Sequence, residues 1–185
     1  MTGSRTTYLV LDGENLDATL GNSVLGRRPA PDERPRWDRV LAFCERTWNQ
    51  PVKALFFLNA SSGSLPMPFV QALLAMGLRP VPLSGPPGMK VVDVGIQRML
   101  EAIVGRDADV VLGSHDSDFL EQVTALSGDG RRVALLGFSE YVSSRYAEVE
   151  GLEVFDLEHD AQAFTKPLPR VRILDIEAFD PEAFL

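Results

Sequence analysis

The sequence predicts a three-layer, Rossmann-like α/β domain built on a mainly parallel central sheet. Three observations carry that prediction. Short apolar runs alternate along the chain with longer stretches whose apolar residues recur at helical spacing. The short runs are apolar throughout, as strands buried on both faces are. Hydrophobic residues make up 45% of the 185-residue chain and charged residues 24%, which suits one domain with one sizeable core.

The first run, Thr7–Leu11, ends abruptly at Asp12-Gly13, as a buried strand does at a turn. Residues 21–36, GNSVLGRRPAPDERPR, read as a long surface loop. Trp37–Trp48 follows as a helix, with Val40, Leu41, Cys44 and Trp48 at helical spacing. Val52–Leu58 is the second strand, and Pro66–Met76 a helix with proline in its first turn and Gly77 just past its end. Leu78–Leu83 is a short third strand, closed by the turn SGPPGM. Val91–Val104 then aligns Val92, Ile96, Met99, Leu100 and Ile103 on one helical face. Asp109–Gly113 is the fourth strand, Asp118–Leu126 its helix, Arg132–Leu136 the fifth strand and Leu152–Phe155 the sixth. Right-handed crossovers wind these units to both sides of one sheet. Residues 1–165 thus form the domain, with no internal repeat and no second domain. Residues 166–185 form a tail with one more candidate strand, RVRILDI. It packs on the sheet edge or on a partner chain, the latter making a homodimer.

Composition narrows the function. A net charge of −8 and a pI near 4.8 weigh against a general nucleic-acid binder, which shows a basic footprint. An acidic enzyme can still act on RNA where a metal masks its acids and basic residues cluster locally. The segment 21–39 offers such a cluster: Arg27, Arg28, Arg34, Arg36 and Arg39 stand against Asp32, Glu33 and Asp38, a local charge of +2. No apolar run approaches the roughly 20 residues of a membrane span. The N-terminal sequence does not read as a signal peptide, and a lone cysteine excludes an internal disulfide framework. A cytoplasmic protein is expected, with Cys44 as a small core residue.

The acids fall where an open α/β sheet binds ligands, beyond the carboxyl ends of its strands. Asp12 closes the first strand, Asp93 opens the helix after the third, and Asp116 and Asp118 follow the fourth in GSHDSDF. If the first and fourth strands are neighbours, these four carboxylates share one cleft and repel each other unless a cation or protons neutralise them. Carboxylate oxygens suit hard cations, and HxxxH and CxxC spacings are absent, so Mg2+ or Mn2+ is expected rather than zinc. Each residue also has an ordinary structural reading. Asp12 can start a turn, Asp93 can answer a helix dipole, and Asp118 with Glu121 resembles a capping box. Asp116 has the weakest such reading. Asn15 orients a metal-bound water or phosphate, or caps the first helix. Ser114 caps, or binds phosphate. Lys90 offsets phosphate charge, or simply pairs with Asp93 at i,i+3. His115 reads as an exposed loop residue beside the site.

The segments YLVLDGENL, MKVVDVGI, DVVLGSHDSDF and RRVALLGF resemble, in matching order over about residues 7–156, the NYN-domain branch of the PIN-like nucleases. The likeness rests on the family's apolar strand ending in Asp-x-x-Asn, its Lys-x-x-Asp at a helix start, and its strand ending in Ser-Gly-Asp-Ser-Asp-Phe. It implies a PIN-like fold and metal-dependent endoribonuclease activity. It also implies an acidic site of Asp12, Asp93, Asp116 and Asp118, supported by Asn15 and Ser114, with Lys90 near the substrate. Two departures stand out. His115 replaces the family's usual glycine, which would narrow backbone access to the site, and Met99 stands where many members carry a further aspartate.

The expected chemistry is hydrolysis of RNA phosphodiesters at an acid-held Mg2+ or Mn2+, with Arg27 and Arg28 drawing RNA over the site. The arginines could equally pair with the loop's own acids. The alternatives are a non-catalytic RNA- or protein-binding module, and a phosphatase of the haloacid dehalogenase type. The latter wants an aspartate two residues after the first, where Glu14 stands.

Overall fold

The computed structural model describes residues 5–170 and 173–185. Six strands form one sheet: β1 (Thr6–Asp12), β2 (Val52–Asn59), β3 (Arg79–Leu83), β4 (Ala108–Gly113), β5 (Val133–Gly137) and β6 (Glu153–Asp156). Their order is β3-β2-β1-β4-β5-β6, and every neighbouring pair is parallel. The helices are α1 (Gly13–Thr19), α2 (Trp37–Trp48), α3 (Met67–Ala75), α4 (Val91–Val104) and α5 (Leu120–Leu126).

Alternation along β1 builds the two layers, because successive side chains leave a strand on opposite faces. Leu9 and Leu11 join Val40 and Cys44 of α2 and Leu73 of α3 on one side. Val10 joins Ile96 and Leu100 of α4 and Val123 of α5 on the other. β4 and β5 are buried along their whole length, which is why their apolar runs are unbroken. Cys44 is buried and its thiol is pushed up to about 12 by that burial, as a core residue's is. Gly77, at φ 85°, takes the left-handed position just past α3.

Two regions differ from expectation. Residues 21–36 are not an unstructured loop. Leu20–Leu25 form a π-helix ending at Gly26, and Pro31–Glu33 a short 3-10 turn. The tail is the second. Of the strand expected at 170–176, Val171 and Arg172 lie outside the described residues, and the others pair with no strand. Instead Ile176–Ala178 and Pro181–Phe184 form 3-10 turns. These turns are a short tandem repeat, Asp-x-Glu-Ala-Phe at 175–179 and again at 180–184, where no repeat was expected. The start of the tail does pack on the domain. Leu168 is buried, and the Arg170 guanidinium lies 4.8 Å over the Phe138 ring while pairing with Glu140 and Glu158. Among the described residues no helix is long and apolar enough to cross a membrane.

Candidate functional site

β1 and β4 are neighbours, as the convergence of the acids requires, and the sheet order reverses between them. Leu11 lies beside Gly113, so Asp12 and Ser114 leave the sheet side by side at its carboxyl edge. Asp12 is 2% exposed. Its Oδ1 accepts from the backbone N–H of Asn15 (3.4 Å) and its Oδ2 from the Ser114 hydroxyl (3.0 Å). Asp12 is therefore the N-cap of α1, and Asn15, one candidate for that role, is a residue inside the helix. Gly13 permits this tight start: a Cβ there would lie 2.3 Å from the Phe56 ring.

Asp93, in the first turn of α4, meets Asp116 and Asp118 across the cleft. Each of the three offers a carboxylate oxygen, and the three oxygens lie within 4.8 Å of one another. Asp116 has the structural role that was expected of Asp118. Its Oδ1 accepts from the Asp118 N–H (3.0 Å) and caps the turn Ser117–Phe119. α5 starts at Leu120, with no side-chain cap from Asp118 and Glu121. The Tyr146 hydroxyl, donating to the Asp116 carbonyl at 2.6 Å, fixes this backbone from below. A cleft of about 360 Å³ is lined by Asp12, Glu14, Asn15, Lys90, Asp93 and Asp116, among others. Asp118 sits at its rim, where Lys90 Nζ lies 3.4 Å from it and 3.7 Å from Asp93.

The acids perturb one another. Burial pushes the Asp12 carboxyl up to about 6, against the hydrogen bonds from Ser114 and Asn15, and the charges of Asp93 and Asp116 add to the rise. Asp93 is raised by burial and by Asp116. The Lys90 ammonium is raised by its bond to Asp118, and the Tyr146 hydroxyl by burial and then the same acids. The donor set is all carboxylate oxygen, with charge in excess of the one neighbouring ammonium. Such a set would suit a hard divalent cation such as Mg2+ or Mn2+, and Asp93, Asp116 and Asp118 are the residues that could share one, with Asp12 buried beside them.

His115 is not an exposed loop residue: it is 6% exposed. Nε2 accepts from the Phe138 N–H (2.8 Å), which leaves the proton on Nδ1, 2.9 Å from Asn15 Oδ1 and 3.1 Å from Thr19 Oγ1. Burial pulls the imidazole down to about 4, so it is neutral. The ring stacks on Phe138 at 5.9 Å and is not among the residues that line the cleft. Its effect falls on Asn15 instead. Both the backbone N–H and the ring of His115 donate to Asn15 Oδ1, leaving the amide NH2 of Asn15 for the cleft. Ser114 also has a fixed role, donating to Asp12 and accepting from the Asp116 N–H at 3.2 Å. Met99 is half-buried against the α4–α5 core.

The arginines mostly pair locally. Arg27 forks onto Glu33 at 2.7 and 2.6 Å, which holds the Glu33 carboxyl at about 2. Arg36 pairs with Asp38 and Arg34 with Asp17, while Arg39 binds the carbonyls of Gln162 and Phe164. Arg28 is exposed and has no ion pair among the described residues. Neither Arg27 nor Arg28 lines the cleft. A second group, Asp156, Glu158 and His159, is a turn pin rather than a site. Asp156 accepts from the backbone and hydroxyl of Ser139 and from the N–H groups of Glu158 and His159. Burial opposes its charge, but these bonds hold its carboxyl below the usual range.

Sequence reasoning left Glu14 without a role and missed Asn59 and Tyr146 as neighbours of the acids. Asn59 had the same signal as Asp12, a polar residue closing an apolar run. Tyr146 had none.

No family model matches the chain, and no curated protein sequence matches it. Among solved structures the chain is similar to a protein of unknown function from Vibrio parahaemolyticus, with a TM-score of 0.68 and 16% identity over 86% of this chain and 97% of that one. At that identity the likeness speaks for the fold alone, a doubly wound α/β domain.

Proposed function

We propose that the chain is a divalent-metal-dependent endoribonuclease of the PIN-like kind, akin to the NYN branch, working through the acidic cleft at the β1–β4 edge. One observation carries this reading: four aspartates from three separate segments converge where the strand order reverses, three with oxygens within 4.8 Å of one another and the fourth buried beside them. When bound there, Mg2+ or Mn2+ supplies Lewis-acid polarisation of the scissile phosphate and an acidified water. Asp93, Asp116 and Asp118 would hold the cation, with Asp12 buried beside them. Ser114 locks the Asp12 carboxylate by donating to Oδ2. Asn15, its Oδ1 engaged by His115, turns its NH2 to a phosphate oxygen. Lys90, 3.4 Å from Asp118 and 3.7 Å from Asp93, would offset phosphate charge at the rim.

The test is incubation of the purified chain with single-stranded and structured RNA across Mg2+, Mn2+ and EDTA. Cleavage is expected to require the metal and to fall by about a thousandfold or more in Asp12→Asn, a loss of several kcal/mol of transition-state stabilisation. A wild type that cleaves no RNA with any divalent metal overturns it. One observation favours the second reading, a non-catalytic RNA- or protein-binding module: the Lys90 ammonium already lies between Asp93 and Asp118 and offsets part of their charge without a metal. That module binds RNA in the same assay and leaves it intact.

A further inference from the structure

We propose that the C-terminal tail of one copy docks its two phenylalanines into the apolar groove between β3 and α4 of a second copy, where it walls one side of the acidic cleft.

The tail is built as a docking segment. Its two Asp-x-Glu-Ala-Phe units repeat without a gap, and each folds the same way. Asp175 Oδ1 accepts from the Glu177 N–H at 2.9 Å, and Asp180 Oδ1 from the Glu182 N–H at 3.1 Å. Each aspartate thus caps a 3-10 turn that ends in or at a phenylalanine, and the two rings lie 5.7 Å apart. The rings are not packed away: Phe179 is 45% exposed and Phe184 67%, with Ile176 more exposed than either. Contiguous apolar side chains held in the open mark an interaction surface. Behind them the chain is tethered, since Arg170 is clamped between Glu140, Glu158 and the Phe138 ring. The segment 173–185 carries Asp175, Glu177, Asp180 and Glu182 and no basic residue. That charge rejects nucleic acid and anionic membrane and asks for an apolar groove with a cation at its rim.

The same chain has such a groove. A depression of about 370 Å³ between β3 and α4 is lined by Val81, Leu83, Met89, Val94 and Met99, and its one charged lining residue among those described is Arg98. Met89 is 48% exposed. Met89 and Val91 also line the acidic cleft, so the two depressions are adjacent. A phenylalanine in the groove therefore stands at the cleft's side, with the tail's acids toward Arg98. The groove lies on the α4 face at the β3 edge, whereas the tail is tethered by β5 and β6 at the opposite end. Reaching it within one chain means crossing five strand spacings, about 24 Å, and rounding the sheet. A second copy presents it without that detour, and reciprocal exchange gives a closed two-fold dimer. This inference stands on groove and tail alone and is independent of whether the cleft cleaves RNA.

Sedimentation equilibrium of the full chain tests it, with crosslinking to place the contact. Cys44 is buried, so Phe184→Cys and Met89→Cys each carry one reactive thiol. A mixture of the two variants treated with a short bismaleimide is expected to give a product of twice the chain mass, which neither variant gives alone. Phe179→Ala with Phe184→Ala is expected to weaken the dimer about 100-fold while the melting temperature of the monomer is unchanged. A wild type that stays monomeric at every concentration overturns the proposal. So does a dimer indifferent to loss of both phenylalanines, which would use another surface. So does a Met89→Cys/Phe184→Cys double variant that crosslinks within a single chain, which would place the tail in its own groove.

Discussion

Replacing Asp12 with asparagine stabilises the metal-free protein at neutral pH and removes its response to metal. Burial, with the charges of Asp93 and Asp116, lifts the folded-state pKa of Asp12 from 3.8 to about 6. A raised folded-state pKa means the folded protein holds the proton more tightly than the unfolded chain. Its stabilising contribution is full below about pH 4 and is lost as pH rises through about 6. The shift corresponds to a penalty of about 3 kcal/mol at pH 8, taken as a ceiling. Asparagine keeps the shape and cannot ionise, while re-pairing its amide with Ser114 and the Asn15 N–H costs about 1 kcal/mol. The net gain of about 1–2 kcal/mol raises the melting temperature by about 3–6 °C in a chain of this size. In EDTA, melting curves from pH 4 to pH 8 should show wild type falling below the variant as pH rises, with the advantage gone near pH 4. Saturating Mg2+ then reverses the order, because a ligand bound at a hundred times its Kd contributes about 2.7 kcal/mol to the folded wild type alone. An asparagine variant less stable than wild type at pH 8 in EDTA, with the same pH slope, would refute the reasoning.

Three further outcomes are expected. Gly137→Ala brings a Cβ to 2.5 Å from His115 Nε2 and should cost about 1–3 kcal/mol in urea unfolding; that cost should be much smaller when measured in a His115→Gly background, itself destabilised, and additive effects would show that the two do not meet. Arg28→Ala should lower the salt slope of RNA binding by roughly 0.7, as one lost phosphate contact does, whereas Arg27→Ala should leave it unchanged because Glu33 already holds its fork. Filter binding over a salt series separates the two. Arg170→Ala takes the cation from Glu140, Glu158 and the Phe138 ring and should cost about 3 kcal/mol, read by urea denaturation.

The layers and the place of the site were legible because both rest on local signals. Apolar runs such as DVVLG must be strands when every position is buried, and an acid that closes such a run stands at the sheet's carboxyl edge. Asp12 was found in this way, and Asp116 as the first acid after the fourth strand. What was hidden depends on contacts between distant segments. A histidine in a loop reads as exposed, yet His115 is drawn inward by the Phe138 N–H, 23 residues away in sequence, and by Asn15, 100 residues away. In Asp-Ser-Asp-Phe either aspartate suits a cap, and only the backbone path settles that Asp116 takes the Asp118 N–H. The π-helix at Leu20–Leu25 has no side-chain period to announce it within a stretch rich in glycine and proline. Arginines in a loop can face RNA or their own acids, and sequence order alone does not reveal that Glu33 reaches Arg27.

Crystals soaked in Mn2+ and measured at the manganese absorption edge test whether the cleft between β1, β4 and α4 binds a divalent cation. An anomalous peak is expected among the carboxylates of Asp93, Asp116 and Asp118, beside Asp12, with Lys90 Nζ displaced from Asp93, and no peak in Asp116→Asn. A cleft that stays without anomalous density at millimolar Mn2+, with Lys90 still between Asp93 and Asp118, would contradict that expectation.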